Sequence, residues 1–291
     1  MLTAKEINYI KANAYIPEHM PAYVRAVSGA EPYLIKTFLC YKKGSTLIFI
    51  GYPLGEPFEE KKTKNILDIA IKDFKPDEIA LIAPSAGPYK DAVCQKKTTD
   101  IYYGLNMSRL NISHKVKNMI NRASREIGVE TGQECSDEHL SLIAEFLESH
   151  EIGEETQYIF DKIPVYISSS ETALVINARD RQGKLTAFDV AELDSRDNAF
   201  YMFNFASRKF YVPGTSDLLL NELIHLAQER GKRFINLGLG IDEGVTFFKR
   251  KWGGRPFLAY EFCQYKIRRT PTIGTLLKSY LNKIDFKKIL V

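Results

Sequence analysis

Residues 212–254 read VPGTSDLLLNELIHLAQERGKRFINLGLGIDEGVTFFKRKWGG, and the alternation of helix and strand signals along this stretch decides the fold. Pro213-Gly214 turns the chain. Thr215 to Arg230 then set Leu219, Leu220, Leu223, Ile224 and Ala227 on one helical face, with Gly231 as the stop. A strand is predicted over Arg233 to Leu237, a short helix over Glu243 to Lys251, and a last strand over Phe257 to Ile267.

Upstream, Thr172 to Arg179, Leu185 to Leu193 and Ala199 to Ala206 are strand-like runs joined by short polar loops, so they should form an antiparallel meander. That excludes a purely parallel sheet. Before them a helix starts at Ser136, a good N-cap, and should bury Leu140, Ile143, Phe146 and Leu147; another spans Glu155 to Ile163. In the first half, runs at Tyr33 to Tyr41 and Thr46 to Tyr52 flank Lys42-Lys43-Gly44-Ser45 as a hairpin. A helix (Glu59 to Phe74), a strand (Ile79 to Ala83), a loop (Pro84 to Thr99) and a strand (Asp100 to Leu105) follow. Val116, Met119, Ile120, Ala123 and Ile127 then make one apolar helical stripe that Gly128 ends.

The two halves share a pattern of hairpin, helix and strand without sharing residues. The expectation is an α/β (α+β) protein of two similar domains, each a mixed, largely antiparallel sheet flanked by helices. Their bounds are read as 1–107 and 128–267, joined by a basic helix at 108–127 and followed by a basic amphipathic helix at 268–291.

Composition narrows the class. With 45% hydrophobic and 26% charged residues in 291, the chain can bury a large core. No run approaches the roughly 18 apolar residues of a membrane span, and no leader-like stretch opens the sequence, so a cytoplasmic location is expected. Cys40, Cys94, Cys135 and Cys263 form no Cys-x-x-Cys pair and the five histidines show no ligand spacing; reduced thiols and no metal are expected. The net charge of +4 is mild, but Arg109 to Arg125 holds five cations and no acid, whereas Glu126 to Asp161 holds no lysine or arginine.

Segments Val212 to Asp217, Asn236 to Gly240 and Gly244 to Gly254 together resemble the C-terminal motif of Fem-type aminoacyltransferases and their relatives in the GNAT superfamily: a proline-led helix, a strand ending in glycine, and Gly-apolar-x-x-Phe-Lys-x-x-aromatic-Gly. The catalytic regions of lysyl-phosphatidylglycerol synthases are similar in paired architecture. The resemblance implies two GNAT-like domains and a functional lysine at Lys249, which could polarise a reacting carbonyl or hold a donor phosphate; a solvated lysine beside Arg250 and Lys251 is the plain alternative. Gly214, Thr215 and Ser216, with Arg208 and Val212 before them, suit a phosphate at a helix N-terminus, or an ordinary turn and N-cap. Asn236 could reach a ligand from its strand end or sit buried and satisfied.

Gly238-Leu239-Gly240 followed by Gly244 is misspaced for a dinucleotide fingerprint, and neither a serine elbow nor a phosphate loop occurs. The function expected is therefore transfer of an acyl or aminoacyl group to a small-molecule or peptide amine. The donor is acyl coenzyme A or aminoacyl-tRNA, the latter drawn to the Arg109 to Arg125 helix. The basic amphipathic C-terminal helix could lie on an anionic membrane or pack on its own protein. The rival is a catalytically silent GNAT-like binding module.

Overall fold

The computed structural model describes residues 2–87 and 92–267. The expected C-terminal amphipathic helix lies outside these residues, as does the membrane contact assigned to it.

The first thirty residues, in which no periodicity is legible, fold into α1 (Ala4–Asn13) and α2 (Pro21–Ser28) around a 3-10 turn at Pro17–His19. Local chemistry places them. Thr3 and Glu6 form a capping box at the start of α1, and α2 starts on proline and stops at Gly29 in left-handed backbone. Then come β1 (Glu31–Ile35), β2 (Phe38–Lys43), β3 (Thr46–Ile50), α3 (Glu60–Phe74), β4 (Glu78–Ala83) and the long β5 (Ala92–Asn106). The remainder runs α4 (His114–Ala123), β6 (Ile127–Gly132), α5 (Asp137–Ser149), α6 (Glu154–Asp161), α7 (Ile163–Ser169), β7 (Ala173–Asp180), β8 (Leu185–Glu192) and β9 (Asn198–Ala206). It closes with α8 (Thr215–Glu229), β10 (Phe234–Leu239), α9 (Glu243–Lys251) and β11 (Arg255–Ile267).

These strands form one sheet in the order β1-β2-β3-β4-β11-β5-β10-β9-β8-β7-β6. It is mixed and largely antiparallel, as expected, with β3/β4 and β10/β9 parallel. The meander β7-β8-β9 is present. The final strand does not stay with its sequence neighbours: β11 runs between β4 and β5 and so bonds to the first half of the chain. On one face α8 buries Leu219, Leu220, Leu223 and Ile224 against Ile176, Ala187 and Ala199, while α3 covers Leu47, Phe49 and Leu81. Each such fully buried aliphatic side chain stabilises by about 1.5–3 kcal/mol. The opposite face packs Ile10 of α1 on Tyr52 and Tyr102, and α5 and α7 on Val175, Phe188 and Val190.

Several expectations are corrected. The run Tyr33 to Tyr41 is two strands, because Lys36 takes a left-handed φ of 55° and reverses the chain between Ile35 and Phe38. Pro84 to Thr99 is not all loop: β5 begins at Ala92, and its polar start becomes strand by pairing with thirteen-residue β11. Tertiary pairing there overrides local propensity. Ile127 is buried but opens β6, since α4 ends at Ala123. In α5 the buried residues are His139, Leu142 and Ile143, while Leu140 is 44% exposed: the helix is turned so that His139 reaches Asn177. The four cysteines are not all thiols. Cys94 and Cys263 sit on the paired strands β5 and β11 with Cα atoms 5.9 Å apart and form a disulfide, a proximity created by the late return of β11.

Candidate functional site

The parallel strands β9 and β10 pair only where Asn198–Phe200 meet Phe234–Asn236, and then part. Asn236 is the hinge of this fork. Its Oδ1 accepts the Gly238 N–H at 2.8 Å and its Nδ2 donates to the Tyr15 carbonyl at 3.0 Å, so the buried amide is satisfied and bends β10 locally. The bend shows as a register shift against β5 between Asn236 and Leu239, with Gly238 at φ 78°.

Lys249 of α9 fills the fork. The helix is fixed in three ways: Asp242 caps it through the Val245 N–H at 2.8 Å, Lys251 ion-pairs with Asp217 of α8 at 2.7 Å, and the Trp252 indole donates to the same carboxylate at 2.8 Å. Held so, Lys249 is 3% exposed, and its ammonium donates to the Leu239 carbonyl beside Gly238. Burial lowers its pKa to about 8, against the pull of Asp100 and Asp242. It has no direct carboxylate partner among the described residues, so most of its charge is available to a ligand. The motif around it is explained by packing. Phe248 stacks with Tyr201 at 6.4 Å, and a Cβ at Gly254 would lie 2.6 Å from the Lys249 carbonyl oxygen.

Two acids whose carboxyls burial raises carry no sequence signal. Asp189 of β8 lies fully buried opposite Asn204, whose Nδ2 donates to it at 2.6 Å; its Oδ2 has no hydrogen-bond partner. Burial pushes this carboxyl well above the usual carboxylate range, opposed by its bonds to Asn204 and Tyr201. Ser216 reaches the same group through Asn204 at 3.3 Å. On the other face, the Tyr102 hydroxyl donates to Glu18 at 2.7 Å, and burial raises that carboxyl too. Tyr260, whose ring is 5.6 Å from that of Tyr102, pairs in register with Asp100, which accepts the Gly240 and Ile241 N–H groups at the start of α9. His19 is buried with Nε2 2.9 Å from the Tyr52 carbonyl; burial takes its pKa to about 3, so it stays neutral. Glu18 and Tyr102 are 84 residues apart, and only the tertiary fold joins them.

The turn before α8 does not open onto a cleft. Gly214 and Thr215 are buried, and a Cβ at Gly214 would lie 2.5 Å from the Met119 carbonyl oxygen of α4. Both the Thr215 N–H and its hydroxyl donate to the Val212 carbonyl, at 3.2 and 2.8 Å. Val212 is half-buried against the α8 core, and Arg208 is exposed with its guanidinium on His150 at 3.1 Å. Of the residues singled out from sequence, the fold brings Lys249 and Asn236 to the fork, sets Ser216 against Asn204 of β9, and leaves Arg208 exposed.

No family model and no curated protein matches this chain. Solved structures do. FemX superposes with a TM-score of 0.57 at 11% identity, over 97% of this chain and 98% of that one. The C-terminal domain of a putative lysylphosphatidylglycerol synthetase from Agrobacterium fabrum gives 0.56 at 14%, over 83% and 86%. A tandem GNAT protein from the clavulanic acid biosynthesis pathway gives 0.50 at 11%, over 80% and 79%. Identities this low speak to architecture, and the chain accordingly has a GNAT-like fold in the two-domain, Fem-type arrangement.

Proposed function

We propose that the chain transfers an aminoacyl group from tRNA to an amine on a small molecule or peptide, with the reaction centred on the β9/β10 fork. The observation that carries this reading is Lys249, a buried ammonium held in the fork with no carboxylate bonded to it among the described residues. In such a transfer the acceptor nitrogen bonds to the ester carbon, the carbonyl oxygen gains charge, and the bond to the ribose oxygen then breaks as that oxygen takes up a proton and the nitrogen loses one. A fixed ammonium in a low-dielectric cleft stabilises the charge on the carbonyl oxygen, an effect worth roughly 10²–10³ in rate when one such donor is removed.

Two features favour tRNA over coenzyme A as the carrier. The α8 N-terminus, where a pyrophosphate would bind, is covered by a backbone carbonyl of α4. That same helix buries Val116 and Ala123 and presents Lys115, Lys117 and Arg122 to solvent, with exposed Arg125 just beyond its end, a surface suited to phosphates. A tRNA donor places the reaction in the cytoplasm. Filter binding of aminoacyl-tRNA across a salt series tests the carrier. The triple variant Lys115→Gln, Lys117→Gln, Arg122→Gln should bind more weakly with a shallower salt slope, because each lost phosphate contact releases fewer counterions. Equal affinity and parallel slopes would remove α4 from the site and return coenzyme A to first place.

A further inference from the structure

Four arginines from four separate segments line one open cleft at the end of the sheet away from the fork's mouth. The cleft, about 800 Å³, lies where β9, β10 and β11 begin and β5 ends. Arg109 follows β5, Arg196 stands in the β8–β9 loop, Arg233 precedes β10 and Arg255 opens β11. This is no local charge run, because the fold gathers the four from positions up to the full length of the second half. Backbone bonds anchor three of these segments: the Met107 N–H donates to the Arg233 carbonyl at 3.0 Å, the Arg233 N–H to the Asp197 carbonyl at 2.8 Å, and the Arg196 N–H to the Lys11 carbonyl of α1 at 2.8 Å.

The charge there is not balanced from within. Asp197 pairs with Arg196 at 3.4 Å, and Glu56, the other acid lining the cleft, is already held by Lys62 and the Thr37 hydroxyl. Arg109, Arg233 and Arg255 have no carboxylate partner among the described residues. Three uncompensated guanidiniums around one concavity repel one another, and a ligand with several anionic oxygens relieves that repulsion while taking paired N–H bonds. The apolar surface between them comes from half-buried Leu110 and the exposed rings of Phe234 and Phe257, the latter 47% exposed, with Leu105, Ile235 and Trp252 buried behind them. An apolar floor under a cationic rim selects a ligand with both characters.

We propose that this cleft binds a small organic phosphate with an aromatic body, its phosphoryl oxygens on Arg109, Arg233 and Arg255 and its ring against Phe257. The site adjoins the fork at Asn236, which lines the cleft, but it does not rest on the transfer reading: a chain that transferred nothing would still bind such a ligand.

Isothermal titration of the full chain with phenyl phosphate tests the site, with hexyl phosphate as the aliphatic arm that mimics a lipid-like source. Phenyl phosphate should bind saturably, and the double variant Arg233→Gln, Arg255→Gln should bind it about tenfold more weakly or worse, the loss expected for two charge-assisted contacts. Both arginines are exposed, so the variant should keep the wild-type circular dichroism spectrum. Phe257→Ala should weaken phenyl phosphate about threefold or more and hexyl phosphate less. No saturable binding to wild type, or undiminished binding by the double variant, would overturn the site. Equal losses for both ligands on Phe257→Ala would overturn its aromatic preference.

Discussion

The turn at Gly214 and the fork at Lys249 both use a glycine in left-handed backbone, yet one is packed shut and the other holds a charge. At Gly214 (φ 93°) a side chain would run into the Met119 carbonyl oxygen at 2.5 Å. At Gly238 (φ 78°) the nearest atom to such a side chain would be the Lys249 ammonium, at 3.7 Å. Left-handed glycine therefore marks two different things here: close contact of two backbones, and room for a neighbouring side chain. What separates them is the element that arrives from elsewhere, α4 in the first case and α9 in the second.

Substitution at Gly214 should break or sharpen this contrast first. Gly214→Ala adds backbone strain and a clash with a helix that cannot yield cheaply, so a loss of about 3 kcal/mol is expected from those two effects together. Gly253→Ala is the control: φ is 85° but nothing lies within 4 Å, so only the strain of about 1 kcal/mol remains. Urea midpoints measure both, and equal losses would mean that α4 does not press on the turn.

A second test follows the charge at the fork. The folded pKa of Lys249 is about 8, below its unfolded value, so between these values the unfolded chain holds a proton that the folded chain has released. Wild-type stability should rise with pH through that window, relative to Lys249→Met, by about 3 kcal/mol between pH ~8 and pH ~10.5. Parallel stability curves for the two proteins would show that the ammonium is not buried as described.

A smaller effect is expected below the fork, at Asp189. Its carboxyl is raised by burial, so the folded chain holds a proton that the unfolded chain gives up, and stability is lost as pH rises above the ordinary carboxylate range. Asp189→Asn should remove that loss, with a gain of about 1 kcal/mol at pH ~7 that shrinks toward pH ~4. A gain that is constant with pH, or a loss, would mean that the carboxylate is met by a group other than Asn204 and Tyr201.

Much of the C-terminal half was legible because its signals are local. The stripe of α8, the meander, and α9 from Glu243 to Lys251 follow from periodicity and caps within each segment. Lys249 and Asn236 stand out in the sequence because they sit in a short motif. The parts that were not legible depend on partners far along the chain. The polar start of β5 becomes strand by pairing with β11, the Cys94–Cys263 bond forms from the same pairing, and Glu18 meets Tyr102 across the fold. The closed state of Gly214 belongs to this class too, because nothing between Val212 and Asp217 tells that Met119 will lie on it. α1 and α2 show a further limit: each buries only one residue of its own fully, Ile10 and Val24, too little for a periodic signal.

Single-turnover transfer from labelled aminoacyl-tRNA to a panel of amines, comparing wild type with Lys249→Met, tests transfer at the fork most directly. Wild type should transfer to at least one amine, the variant should drop roughly 10²-fold with tRNA affinity unchanged, and the wild-type rate should fall above pH ~8 as the ammonium loses its proton. Transfer by Lys249→Met at the wild-type rate and with the same pH profile would contradict it.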